Sequence, residues 1–271
     1  MNLRKANDMN AVIKMRGLSK VYSGKQVLEP IDLDIHAGEV VGYLGPNGAG
    51  KSTTVKILIG VTKEFNGSAQ VCGFDVRKEP LEVKKRIGYV PEVAALYDSI
   101  SPLEYLRFVG RVHHMDDALI ESRATEMLNL FGLEGEHQTP MFNYSKGMKQ
   151  KVLFTAAVIH DPAVLFLDEP LSGLDVNAVM LVKEVIAQLA KAGKAIFYSS
   201  HMMDVVQKVC DRIIILDKGK VLADGSFAEL QEQQGKDKSL EDIFSKLTSG
   251  VDHVAMATKF IRSLGSDVLA A

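Results

Sequence analysis

The segment Gly45-Pro46-Asn47-Gly48-Ala49-Gly50-Lys51-Ser52 fits the pattern G-x-x-x-x-G-K-[ST], which demands a buried strand before it and a helix after it. Its glycines let successive backbone N–H groups turn inward around an anion without side-chain clashes. Both flanking signals are present. Glu39-Val40-Val41-Gly42-Tyr43-Leu44 is a short apolar run ending in glycine. Beyond the loop, Val55, Leu58 and Ile59 recur at helical spacing up to Gly60, placed as a helix C-cap. Composition alone would produce the bare pattern in roughly one chain in a hundred of this length. The flanking elements therefore decide against a glycine-rich surface turn. A phosphate cradle is expected over Gly45, Pro46, Asn47, Gly48, Ala49, Gly50, Lys51, Ser52 and Thr53. Lys51 would neutralise the β and γ oxygens of a nucleotide, and Ser52 would ligate Mg²⁺.

The rest of the chain alternates strand and helix. Ile31, Leu33 and Ile35 alternate with polar residues, as in a half-buried strand. Residues from about 93 to 160 read as helical. Ser101-Pro102-Leu103-Glu104 combines an N-cap, a first-turn proline and a capping-box glutamate, and further helices are expected over Asp116–Phe131 and Ser145–His160. Val164–Asp168, Ala195–Ser199 and Ile213–Asp217 read as strands, separated by helices near Asn177–Ala192 and Met203–Cys210. Lys218-Gly219 and Asp224-Gly225 read as turns around a short returning strand. Ser239 with Asp242 starts a last structured piece. A helical stripe of Val251, Val254, Thr258, Ile261, Leu264 and Val268 follows. This alternation argues a mostly parallel α/β sheet covered on both faces.

Val164-Leu165-Phe166-Leu167-Asp168-Glu169-Pro170 is an apolar strand ending in two carboxylates. Beside a phosphate loop, Asp168 would hold Mg²⁺ or its waters, and Glu169 could act as general base on an attacking water. His201 follows the Ala195–Ser199 strand, where it could sense a γ-phosphate. Tyr22 precedes Ser23-Gly24, where an aromatic face could stack on adenine.

Taken with Tyr144-Ser145-Lys146-Gly147-Met148-Lys149-Gln150, these pieces resemble the ATP-binding cassette (ABC) ATPases over about 11–235. That stretch looks like the family's Leu-Ser-Gly-Gly-Gln signature. Tyr144, Lys146 and Met148 depart from the commonest form; Ser145 and Gly147 keep the hydroxyl and the close backbone approach. The resemblance implies a P-loop fold of ABC type: a mostly parallel core sheet with covering helices, an antiparallel β subdomain and an inserted helical subdomain at about 93–160. It implies that two cassettes, copies or homologues, pair head to tail, with ATP between one phosphate loop and the other's Ser145, Lys146 and Gly147. It assigns Tyr22 to adenine stacking, Glu169 to the catalytic base, His201 to the switch histidine and Ser172–Asp175 to the loop that communicates across the dimer. Where the family usually has glutamine after Gly88-Tyr89-Val90-Pro91, this chain has Glu92, a carboxylate that can still ligate Mg²⁺.

Residues 1–10 read as a tail without a secretory core, and 236–271 as a helical extension in which Ser239–Thr248 resembles the tail of exporter cassettes. No apolar stretch reaches the roughly 18 residues of a membrane span. The formal charge is −2, from 32 Lys+Arg against 34 Asp+Glu, without the basic stripe that nucleic acid requires. Two distant cysteines, Cys72 and Cys210, suit a reduced compartment. The resulting expectation is an ATP-hydrolysing subunit on the cytoplasmic side of the inner (plasma) membrane, driving a separately encoded permease, as in exporters. The rival is a soluble ABC ATPase of translation or chromosome maintenance. Translation-type members resemble two cassettes on one chain, and chromosome-type members carry long coiled coils that 53–143 lacks.

Overall fold

A computed structural model describes residues 11–93, 96–235, 237–248 and 253–263. Its core is a six-stranded sheet. Strands β3 (Val40–Leu44), β7 (Val164–Asp168) and β8 (Ala195–Ser199) are buried at every residue, as strands covered on both faces must be. With β6 (Ile87–Val90), β9 (Arg212–Asp217) and β10 (Lys220–Gly225) they form the order β10-β9-β3-β8-β7-β6. Every pairing is parallel except the returning β9–β10 hairpin. A second, antiparallel sheet has the order β2-β1-β4-β5, built from β1 (Ala11–Tyr22), β2 (Lys25–His36), β4 (Asn66–Val71) and β5 (Phe74–Asp75). The expected combination of parallel core and antiparallel β portion is present.

Alternation along each core strand sends neighbours to opposite faces. Tyr43, Phe166 and Phe197 pack on one side with Val55 and Leu58 of α1 (Lys51–Leu58) and with Ile13, Met15 and Ile35 of the second sheet. On the other side lie Leu44, Leu165, Leu167, Ile196 and Tyr198. That side is covered by α6 (Val176–Lys191), α7 (Met203–Val209), α8 (Phe227–Gln234) and α9 (Leu240–Leu247). Helix α6 begins earlier than its periodicity indicated, because Asp175 caps it by accepting from Ala178 N at 2.9 Å. One expectation is corrected. Asp224-Gly225 is not a turn but the end of β10, where Asp224 is fixed by Arg212 at 2.5 and 2.6 Å. Lys218-Gly219 is the turn, with φ of 48° and 80°.

The expected helices of the middle region are α3 (Pro102–Val112), α4 (Asp117–Leu130) and α5 (Lys146–Val158), after the short α2 (Pro80–Lys84). Ser101 and Glu104 form the full capping box, while Asp116 and Ser145 cap the next two helices. Together α3–α5 bury Leu106, Ile120, Leu128, Met141 and Val152 in a separate apolar cluster. They meet the core where α5 crosses β6: a Cβ on Gly88 would lie 2.0 Å from the Ala157 main-chain oxygen. The C-terminal stripe contributes α10 (His253–Ser263), with Met256 and Phe260 exposed. Residues 1–10, Val251, Leu264 and Val268 lie outside the described residues. No described helix is long and apolar enough to cross a membrane.

Two predictions follow from the α3–α5 packing. Gly88→Ala forces β6 and α5 apart and should lower stability by about 1–3 kcal/mol in urea unfolding. The second concerns His113 and His160, whose rings stack with centroids 3.6 Å apart. Burial, and then the neighbouring His160 and His114, push His113 from 6.5 down to about 4, and burial lowers His160 as well. An unfolded histidine takes its proton first, so this contribution is complete above about 6.5 and is lost as pH falls towards 4. His113→Phe should flatten the stability profile within that window.

Candidate functional site

Parallel strands present their carboxyl ends on one edge, and a loop leaving there opens into the crevice above the sheet. At that edge the pairing sets Tyr43, Ser199 and Asp168 level across β3, β8 and β7. The chain after each strand therefore converges on a cleft of about 500 Å³. Gly45–Gly48, Gly50–Thr53, Asp168, Glu169, His201 and Glu92 all line it. Ala49 does not: its methyl is buried in the core below the loop.

The loop's glycines are dictated by its backbone. Gly48 and Gly50 have φ of 80° and 110°, and a Cβ on Gly45 would lie 2.4 Å from the Leu216 oxygen. Gly50 is also the N-cap of α1, so the helix directs unpaired N–H groups and its positive end at the cleft. Within the loop the Lys51 ammonium donates to the Gly45 and Pro46 oxygens at 2.5 and 3.2 Å.

Three carboxylates share the cleft with that one ammonium. Burial lowers the Lys51 pKa, and Glu169, Asp168 and Glu92 act in the opposite sense. Burial raises the Asp168 carboxyl, reinforced by Glu92 and Glu169 and opposed by Ser199 and Lys51. Ser52 Oγ faces Asp168 Oδ2 at 3.5 Å. Hard oxygen donors with excess negative charge fit Mg²⁺, which takes one or two protein ligands and completes its shell with water and phosphate. Among the described residues no group of three or more His, Cys, Asp or Glu is placed to hold a metal ion, in this cleft or elsewhere.

Glu169 is held more tightly than any other group in the cleft. Its Oε1 accepts from His201 N at 2.8 Å and pairs with His201 Nδ1 at 2.7 Å, while Oε2 accepts from Ser200 Oγ at 2.9 Å. Its backbone is left-handed, with φ of 49°, a conformation costly for a residue with a Cβ and concentrated at functional sites. The Glu169 N–H donates to the Ser199 oxygen at 2.9 Å, fixing that turn to β8.

Other expected residues lie outside the cleft. Tyr22 stands at the end of the β1–β2 hairpin, 43% exposed; the hairpin reaches the cleft through Val27 instead. Ser145, Gly147 and Asp175 do not line it, and Lys146 lines an adjoining pocket that shares Glu92, Glu169 and His201 with it. They form a different cluster, in which the start of α5 is bound to the loop after β7. Lys146 Nζ meets Ser172 Oγ at 2.6 Å, Gln150 Nε2 donates to the Pro170 oxygen at 3.0 Å, and Lys151 pairs with Asp175 at 2.8 Å. A Cβ on Gly147 would lie 2.4 Å from the Gly173 oxygen. Ser145 Oγ accepts from Met148 N at 3.2 Å, leaving the first N–H groups of α5 aimed outward. Ser200, Met203 and Phe244 complete the cleft wall and were not anticipated. Ser200 could have been read from its place between a strand end and His201, but Phe244 arrives through tertiary packing alone.

The described family "ABC transporter" matches residues 28–172. The chain is 37% identical to the ABC transporter ATP-binding protein NatA of Bacillus subtilis (strain 168), covering 83% of this chain and 92% of that one. It is 33% identical to the Nod factor export ATP-binding protein I of Cupriavidus metallidurans, covering 83% and 75%. Among curated relatives the share of their length spanned runs from 64% to 92%. A solved ATP-binding subunit of an ABC transporter superposes with a TM-score of 0.83 at 31% identity, covering 87% of this chain and 99% of that one.

Removing the Lys51 ammonium should weaken nucleotide binding itself. For Lys51→Ala a loss of about 10- to 100-fold in ATP affinity is expected in a fluorescent-nucleotide competition assay.

Proposed function

The chain belongs to the ABC transporter family of ATP-binding proteins, and from that premise we propose that it hydrolyses ATP to drive export through a separately encoded permease. The observation that carries this reading is the fixed Glu169 carboxylate, anchored through both oxygens at the mouth of the phosphate-loop cleft. The loop's N–H groups and Lys51 receive the triphosphate. Glu169 takes the proton of a water aligned on the γ-phosphate, and His201 holds the carboxylate's orientation through its main-chain N–H and ring nitrogen. In such a displacement positioning and charge neutralisation supply most of the rate. Ser52, Asp168 and Glu92 are the residues that would hold Mg²⁺, which neutralises charge building up on the phosphate oxygens. Tyr22 offers its ring to the adenine.

Ser145, Gly147 and Asp175 do not line the chain's own cradle, which supports a complete site built from two cassettes head to tail. A copy of this chain, or a homologous one, presents its α5 N-terminus to the nucleotide held by the first. Binding closes the pair and hydrolysis releases it. We assign residues 11–235 to the ATPase domain, α3–α5 to its permease-facing helical subdomain and 236–271 to an extension. The absence of a spanning helix among the described residues supports peripheral attachment at the cytoplasmic face of the membrane through the permease. The relative named for Nod factor export supports the outward direction.

Glu169→Gln keeps the side-chain shape and removes the base. The variant should bind ATP with wild-type affinity, lose turnover by at least about 100-fold and accumulate as a nucleotide-bound dimer in size-exclusion chromatography. Wild-type phosphate release would overturn the assignment. Purification from detergent-solubilised membranes should bring down a multi-span protein in stoichiometric yield; recovery of the chain alone in the soluble fraction would argue for the non-transport alternative.

A further inference from the structure

Lys20 is a buried cation that the phosphate chemistry above does not use. Only 5% of the residue is exposed, and its side chain is enclosed between β1 and the segment leading into β4. The ammonium donates to the Glu64 main-chain oxygen. The Glu64 carboxylate lies at the 4.0 Å limit of an ion pair and is 97% exposed, so that pair adds little. Burying an ammonium is costly, and a methionine would fill a similar volume without the charge. The remaining neighbour is an aromatic face: Lys20 Nζ sits 4.5 Å from the centroid of the Tyr22 ring.

A ring with a cation against one face is restrained in orientation and loses electron density from the other. An electron-poor face stacks well on an electron-rich purine. Tyr22 remains 43% exposed. The hairpin pairs Tyr22 with Lys25 and Val21 with Gln26, one residue before Val27 enters the cleft wall. The hairpin that carries the ring thus adjoins the cleft through Val27, and the proposed stacking of adenine on Tyr22 would bring the base to it.

We infer that Lys20 is a positioning residue for base recognition: held beneath Tyr22, it fixes the ring and polarises the face on which a purine stacks. The inference rests on Tyr22 being the adenine platform. It separates base recognition from phosphate recognition, because Lys20 makes no contact with the cleft that Lys51 serves.

The test uses the full purified chain and two competitors for a fluorescent nucleotide, ATP and inorganic tripolyphosphate. Lys20→Met should weaken ATP binding about three- to tenfold and leave tripolyphosphate binding unchanged, a difference that general damage to the fold would not produce. Lys20→Arg, which keeps a cation over the ring, should recover most of the loss. Tyr22→Leu should weaken ATP binding further, and adding Lys20→Met to it should change nothing more. If Lys20→Met affects both competitors equally or neither, while Tyr22→Leu still loses ATP, Lys20 has no part in base recognition and the platform stands. If Tyr22→Leu binds ATP as wild type does, the platform reading falls and takes the inference with it. Should Lys20→Met fail to fold, Lys20→Gln, neutral but able to donate to the Glu64 oxygen, carries the same comparison.

Discussion

The crowding of Glu92, Asp168 and Glu169 around the single ammonium of Lys51 is the constraint on which the site depends. Like charges in a partly desolvated cleft repel, and the Asp168 carboxyl is raised first by burial and then by Glu92 and Glu169. The fold tolerates the arrangement because two of these groups, Lys51 and Glu169, are anchored from behind. Lys51 is tied to loop carbonyls, Glu169 to Ser200 and His201, and the strands carrying them are packed on both faces. A divalent cation held among these carboxylates would relieve that repulsion, whereas an unaccompanied triphosphate would add to it.

Much of this was legible in the sequence because the residues concerned carry strong local signals. The phosphate loop could be read from eight positions, since each glycine answers a backbone demand that the structure displays at Gly45, Gly48 and Gly50. Fully apolar strands such as Ala195–Ser199 and capped helices such as α3 announce their own boundaries. The second sheet was harder. Strand β4 reads Asn-Gly-Ser-Ala-Gln-Val, with only Ala69 and Val71 buried, so its pairing with β1 rather than its composition makes it a strand. Asp224-Gly225 misled for a related reason: turn-forming residues were held in a strand by a half-buried arginine paired with Asp224.

The candidate site was legible in its parts and not in its assembly. Asp168, Glu169, His201 and Glu92 were each recognisable at strand ends, and register brings them level. Phe244 and Met203 carry no phosphate-site signal and reach the cleft because α9 packs beside α7, burying Leu240 and Ile243. Residues after position 235 therefore form part of the nucleotide cleft wall. The separation of Tyr22 from that wall was equally invisible, because sequence gives the identity of a contact residue without the distance it must reach.

Helix α5 carries a mechanical consequence. At its beginning it is bound to the loop after Glu169 through Lys146, Gln150 and Lys151. Beyond its end, the following His160 stacks on His113 and reaches the Ile87 oxygen at 3.0 Å. Thirteen residues of α-helix make a rod of about 20 Å, stiff along its axis. The same rod packs against β6 at Gly88, so its two ends and that strand are held as one piece. The turn carrying Glu169 is thus braced by a helix whose far end joins the edge strand β6 to the helical layer around His113.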